Sequence, residues 1–207
     1  MDGRCRKPLR RTSKQVSRPI VRTHRIKPTF YCVTGFWDLG HRLFRTTPET
    51  YPAKFLVGDV FDGAHLSPTA PVSSGPPPPV SSVRTLTELR GHISAIYASS
   101  FFHLFNEEQQ LEVGKRLAAL LDPRPGSIIF GSHGAKPVAG QHSGTFTKGF
   151  FHSPESWTQM WEGQVFENGQ VKVNTVLKEL SVTADGKVVP VGSGTKFHWL
   201  AWSVERL

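Results

Sequence analysis

Cysteine is nearly absent from this 207-residue sequence: only Cys5 and Cys32 occur, and neither belongs to a CxxC pair. No disulfide framework or cysteine-based zinc site is encoded, and a reducing compartment is the expected setting. Long apolar runs are also missing, which excludes a spanning helix of about 18 or more apolar residues. No apolar segment of signal-peptide type follows the basic start, so secretion is not expected. The nine histidines are scattered without an HxxxH or HExxH pair, so no metal site is expected. No Walker loop is present, and Gly131-Ser132-His133-Gly134 is not a GxSxG elbow. Glycine is scarce at the start: before Gly35 the only one is Gly3.

Charge is abundant but unevenly placed. The net charge is +9, and residues 1–27 hold ten Lys or Arg against a single acid, Asp2. The remaining chain has 15 basic and 15 acidic side chains, so the excess belongs to a tail and not to a domain. A face built for nucleic acid spreads its cations over the fold, and no such partner is expected here. Three readings of the tail stand: a solvated arm, an Arg-rich presequence, or a nonspecific phosphate-binding segment. Pro8, Pro19 and Pro28 interrupt any long amphipathic helix across it. A cytoplasmic location is expected, with a mitochondrial one as the alternative, and no membrane partner.

From Thr29 the pattern becomes that of a folded chain. Thr29–Thr34 is β-branched and aromatic and reads as a short strand. Phe36–Arg45 places Phe36, Leu39, Leu43 and Phe44 near helical spacing, with Gly40 weakening it. Ala53–Val57 reads as a buried strand leading into the acidic Gly58-Asp59-Val60-Phe61-Asp62. Leu66–Val83 holds six prolines and reads as an extended surface loop. His92–Ser99 is a strand. Asn106 then caps a helix to about Leu121, with Gln109 completing a capping box and Val113, Leu117, Leu120 and Leu121 on its inner stripe. Asp122–Gly126 stops it. Ser127–Ser132 is a short apolar strand expected to be buried on both faces, ending at Gly131 and Gly134. Ser153 caps another helix with Pro154 in its first turn and Trp157, Met160 and Trp161 on its apolar face. Val171–Val182 and Lys196–Val204 are the last strands, with a turn at Asp185-Gly186. Strands alternating with helices and a closing strand pair make the fold class α/β with an antiparallel finish.

Ligands of open α/β sheets bind beyond the C-terminal ends of the strands. Three such ends are Asp59-Val60, Ala98 through His103, and Gly131 through Gly134. An acid at the first can accept from an adenine amino group, the next N–H can donate to the ring, and Val60 and Phe61 can flank the base.

The segments FWDLGHRLFRTTPETYPAKFLVGDVFD, ASSFFHLFNEEQQLEVGKRLAALLDPRPGSIIFGSHGA and FHSPESWTQMWEGQV resemble the fungal methyltransferases of terpenoid and meroterpenoid pathways, in the same order and over roughly Phe36 to Leu207. The resemblance implies a Rossmann-like class I methyltransferase sheet of seven strands, the last inserted antiparallel. It implies S-adenosyl-L-methionine as donor and a small hydrophobic molecule, for example a carboxylic acid, as acceptor of O-methylation. Gly58, Asp59, Val60 and Phe61 then fall at the adenine side, Ala98 and Ser99 beside the cofactor, and His103 where a general base or substrate contact sits.

Two parts of that pattern are missing. The first strand should end in a glycine-rich turn that lets backbone approach the cofactor, and no relaxed form of it exists here. The second should end in an acid for the ribose hydroxyls, and Cys32-Val33-Thr34-Gly35 runs straight into the next helix. Residues 1–35 are therefore expected to be a basic, disordered segment foreign to the family, and 36–207 an incomplete, truncated methyltransferase-like domain with residues 66–83 as an internal loop. A misplaced start, a retained intron or a decayed gene would each give this pattern. A non-catalytic remnant or partner protein of the same fold is the alternative.

Overall fold

The computed structural model describes residues 33–69, 75–143, 148–183, 188–189 and 192–207. The first element is α1 (Val33–Phe44). After a long irregular stretch come β1 (Ala95–Ser99), α2 (Glu107–Leu120) and β2 (Ile128–Ala135). A hairpin of β3 (Gly140–Ser143) and β4 (Lys148–Phe151) leads to α3 (Pro154–Gln159). The chain closes with β5 (Val171–Val182), β6 (Val188–Val189) and β7 (Thr195–Arg206).

The five-stranded sheet has the order β1-β2-β7-β5-β6. β1 and β2 are parallel, joined through α2 as a βαβ crossover. β7, last in the sequence, inserts between β2 and β5 and runs antiparallel to both. This is the α/β class with the inserted antiparallel strand that the sequence led to expect. β1 is an edge strand: among the described residues nothing pairs with its outer side.

Local chemistry explains the elements that came out as read. The Asn106 side chain accepts from the Gln109 backbone N–H at 2.8 Å and starts α2. Val113, Leu117 and Leu120 are fully buried and Leu121 nearly so. Ser153 caps α3 through Ser156, with Pro154 in the first turn. Trp157, Met160 and Trp161 enter the core, the last two on an irregular wider turn, Met160–Val165, that continues α3. The strand expected at Val171–Val182 is β5. The strand expected at Lys196–Val204 extends by one residue and by two at its ends as β7.

Other expectations are corrected. Ala53–Val57 forms no strand, and Val57, Gly58 and Asp59 are exposed. A strand there needs a partner, and no described strand lies beside β1 to supply one. The backbone is instead satisfied in turns: Asp59 O accepts from Asp62 N at 3.0 Å, and Asp62 O from Leu66 N at 2.8 Å. Val33 and Thr34 belong to α1, not to a strand; residues 29–32 of that expected strand lie outside the described residues, as does the turn at Asp185-Gly186. The apolar side chains of α1 are bare, with Phe36 67%, Leu43 72% and Phe44 74% exposed. The helix is anchored by Trp37, stacked on Phe55 at 5.1 Å. β2 is not buried on both faces over its first half: Phe130 is half-exposed and leans on half-exposed Tyr97 at 5.2 Å, and only the end, His133 to Ala135, is enclosed throughout.

Nor does β2 end at its glycines. Gly131 pairs with Trp202 of β7, and the strand runs on to Ala135. Gly131 is required because a Cβ there would collide with the carbonyl oxygen of Ala98 in β1, a backbone atom that cannot rotate away. Gly131→Ala is expected to destabilise the protein by about 2–3 kcal/mol, an overpacking penalty at a fixed strand spacing. Urea unfolding of the two proteins measures it; an unchanged midpoint would show that β1 is held some other way.

Candidate functional site

β1 stops at Ser99, and Ser100 takes a left-handed backbone with φ 53°. That conformation costs a non-glycine residue roughly 1–2 kcal/mol. It is held by a 2.7 Å bond from Ser100 N to Ser132 O, while the Ser99 and Ser132 hydroxyls lie 3.0 Å apart. The turn throws the chain back as a 3-10 segment, Phe102–Leu104, so that Phe101, Phe102, His103 and Phe105 are buried beyond the strand end.

The acidic turn comes to this same place. Phe61 packs edge-on against Phe105 at 5.3 Å, and Phe105 against Phe101 at 5.1 Å. A ladder of three rings therefore ties residues 59–61 to the end of β1. Val60 is buried in the core and Asp59 is exposed. One Asp59 oxygen accepts from Phe61 N at 3.0 Å, which fixes the carboxylate over its own turn. Gly58 lies against the His65 ring, where a Cβ would collide. Burial lowers the His65 pKa, opposed by Asp62 and Asp59. Ala98 turns its methyl into the core, and Ser99 is half-buried against β2.

His103 is buried among aromatic rings. Phe151 lies 5.8 Å away, Trp199 6.0 Å and His133 6.4 Å. Burial first, and the neighbouring His142 second, push its pKa down to about 4. The ring is neutral at pH 7 and a weak base. Among the described residues its Nδ1 has no hydrogen-bond partner.

Sequence reading passed over the two histidines beside it. His133 is the first residue of β2 beyond the reach of β1, whose last pair is Ser99 with Ser132. It is 1% exposed, and its Nδ1 accepts from Trp202 Nε1 at 2.9 Å. His152, between β4 and α3, has Nδ1 at 2.9 Å from Ser156 Oγ. Burial holds His152 down at about 4; burial together with His103 and His152 holds His133 well below the usual imidazole range. Trp157 touches both, at 4.6 and 5.3 Å. The only sequence signal was position: one histidine in the strand-end segment SHG, another opening HSPESW.

The exposed carboxylate of Asp59 and the half-buried phenyl ring of Phe61 have the chemistry that one end of an S-adenosyl donor would ask for, whereas the Val60 side chain, expected to flank the base, is turned into the core. The glycine turn and the ribose-binding acid have no counterpart among the described residues. No three His, Cys, Asp or Glu side chains of the described residues form a metal cluster. No described helix is long and apolar enough to cross a membrane.

No family model matches the chain. It is 35% identical over 137 residues to the O-methyltransferase phiE of Fungal sp., covering 65% of this chain and 39% of that protein. It is 30% identical over 144 residues to the asnovolin E/chermesin D methyltransferase nvfJ of Aspergillus novofumigatus, covering 68% and 42%. With the methyltransferase adrK of Penicillium rubens it shares 29% over 140 residues, covering 65% and 42%. The chain thus spans about two fifths of the length of these curated relatives. Among solved structures, a SAM-dependent methyltransferase from Methanosarcina mazei aligns with a TM-score of 0.38 at 7% identity, over 57% of this chain and 61% of that one.

Proposed function

From the premise that this chain belongs to the family of fungal methyltransferases, we propose that residues 36–207 form the part of an S-adenosyl-L-methionine-dependent methyltransferase that holds the adenine end of the donor and the acceptor. The donor supplies an electrophilic methyl group on sulfur; everything else asked of the chain is binding and alignment, which can carry most of such a rate. The observation that supports the reading is the ring ladder Phe61–Phe105–Phe101, which brings Asp59 to the end of β1.

In this reading Asp59 accepts from the adenine amino group and the Val60 N–H faces the base edge. Phe61 lines the base, Gly58 sets the turn, and Ala98 and Ser99 shape the strand end beside it. The acceptor is a small hydrophobic molecule methylated on oxygen. A carboxylic acid suits the site best, because its oxygen is already ionised at pH 7 and needs no base. His103 serves as an acceptor contact: a ring held neutral with a pKa of about 4 is a poor base.

The described residues offer no glycine turn, which favours a second reading, a non-catalytic protein of the same fold. Calorimetry with S-adenosylmethionine addresses both. Weak binding, with a dissociation constant of about 0.1 mM or higher, is expected from a half cradle. Asp59→Ala should weaken it a further tenfold or so, the worth of one hydrogen bond to a charged group. Low-micromolar affinity would overturn the half-cradle reading. Millimolar binding indifferent to Asp59→Ala would favour the non-catalytic protein.

A further inference from the structure

We propose that α1 is a membrane-surface anchor: its bare apolar stripe lies in the interface of an anionic lipid bilayer, and the basic N-terminal segment meets the headgroups beside it. The proposal goes beyond the methyltransferase reading and does not rest on it.

The case begins with the helix. A 12-residue helix is marginal in water unless an apolar face is packed. At 3.6 residues per turn, Phe36, Leu39, Leu43 and Phe44 fall within about 140° of the circumference. This stripe is bare: Leu39 is 52% exposed and the other three more so. The helix meets the protein through a different face, where Trp37 stacks on Phe55 and His41 stands 6.2 Å from Tyr51. The remaining face carries Asp38 and Arg42, both exposed. His41 Nδ1 lies 2.8 Å from Thr46 Oγ1, and Thr46 N donates to His41 O at 3.0 Å, which closes the helix end. Single exposed apolar side chains are ordinary; four large ones on one helical stripe mark a surface that something covers.

Charge says what covers it. Residues 1–45 carry twelve Lys or Arg against Asp2 and Asp38 alone, while the rest of the chain is close to neutral. Lys27 stands six residues before Val33, so the nearest tail cation is held within about 20 Å of the helix start by chain length. A bare apolar stripe next to a polybasic segment is the combination that an anionic leaflet takes up: the stripe enters the boundary of headgroups and acyl chains, and the cations gain from the negative surface potential. Each cation close to the surface adds about fivefold to partitioning. Neither signal is strong alone, since four side chains on three turns are a small apolar area and charge alone is lost in salt. No run of this chain needs to cross the bilayer, because a helix of this kind lies in the plane of the interface.

The test uses the full chain, without methyl donor, in flotation with extruded vesicles of phosphatidylcholine alone or with about a third phosphatidylserine. The chain should float with the mixed vesicles at low salt and bind phosphatidylcholine at least about tenfold more weakly. Phe36→Gln with Phe44→Gln removes two exposed rings and should weaken binding to the mixed vesicles about tenfold or more. Its near-UV spectrum and urea midpoint without lipid should match the parent. Arg10→Gln, Arg11→Gln, Lys14→Gln and Arg18→Gln together should weaken binding by a similar factor and flatten its salt dependence. Binding indifferent to the loss of both rings would show attraction by charge alone, as to any polyanion such as a nucleic acid, and would overturn the anchor. A lower urea midpoint of that variant without lipid, or a parent dimer that it dissociates, would overturn it too, since protein would then cover the stripe. Equal affinity for neutral and anionic vesicles would remove the part given to the basic segment and contradict the proposal as stated. None of these readouts depends on methyl transfer.

Discussion

Acidification from pH 7 to pH 4 will unfold this protein or bring it close to unfolding. His103 and His152 each titrate near 4 in the folded chain, against 6.5 for a free imidazole. Between those values the unfolded chain binds the extra protons. Stability is therefore full above pH 6.5 and is lost as the pH falls through the folded pKa. A shift of that size is worth on the order of 3 kcal/mol per ring, and domains of this kind have only about 5–15 kcal/mol to lose. His133, fully enclosed, pulls in the same direction. Urea unfolding at several pH values reads the slope directly. The variant His103→Gln with His152→Gln should flatten it, since neither glutamine titrates. Stability unchanged between pH 7 and 4.5 in the parent would mean that these rings are hydrated rather than buried.

The largest single-residue effect is expected at Trp157. Its side chain has no exposed surface, and it meets Phe102 and Trp202 each at 4.9 Å, His133 at 4.6 Å and Trp161 at 5.7 Å. Trp157→Ala leaves a cavity where α3 meets the sheet, and a loss of about 3–5 kcal/mol is expected. Trp157→Phe keeps most of the ring, so its loss should be well under half of that. Chemical denaturation of the three proteins ranks them. If alanine cost no more than phenylalanine, this ring would not be the centre of the core.

The parts of the fold legible in the sequence are those with local causes. Asn106 with Gln109 and Ser153 with Pro154 announce their helices because the caps are made by neighbours in the chain. The alternation through Val171–Val182 announces β5 for the same reason. What failed depends on distant partners. Ala53–Val57 has strand composition and no strand beside it among the described residues. Gly131 looked like a terminus because glycine usually breaks a strand; here it admits the carbonyl of Ala98 at a crowded crossing. Of the site, the acid at 59 and the aromatic run at 101–105 could be placed from their position after apolar segments. His133 reads only as part of the strand end Gly131 through Gly134, and its meeting with His152 is not legible, since eighteen residues and a hairpin separate the two in sequence and they come together against Trp157.

The central claim is that the acidic turn and the end of β1 share one nucleoside-binding surface. Backbone amide NMR of the full chain, titrated to millimolar S-adenosylhomocysteine, tests it most directly. Shifts confined to Asp59–Phe61 and Ser99–Phe101, fading together in Asp59→Ala, are the expected result. Shifts on β5 and β7 alone, or at one of the two segments without the other, would contradict it.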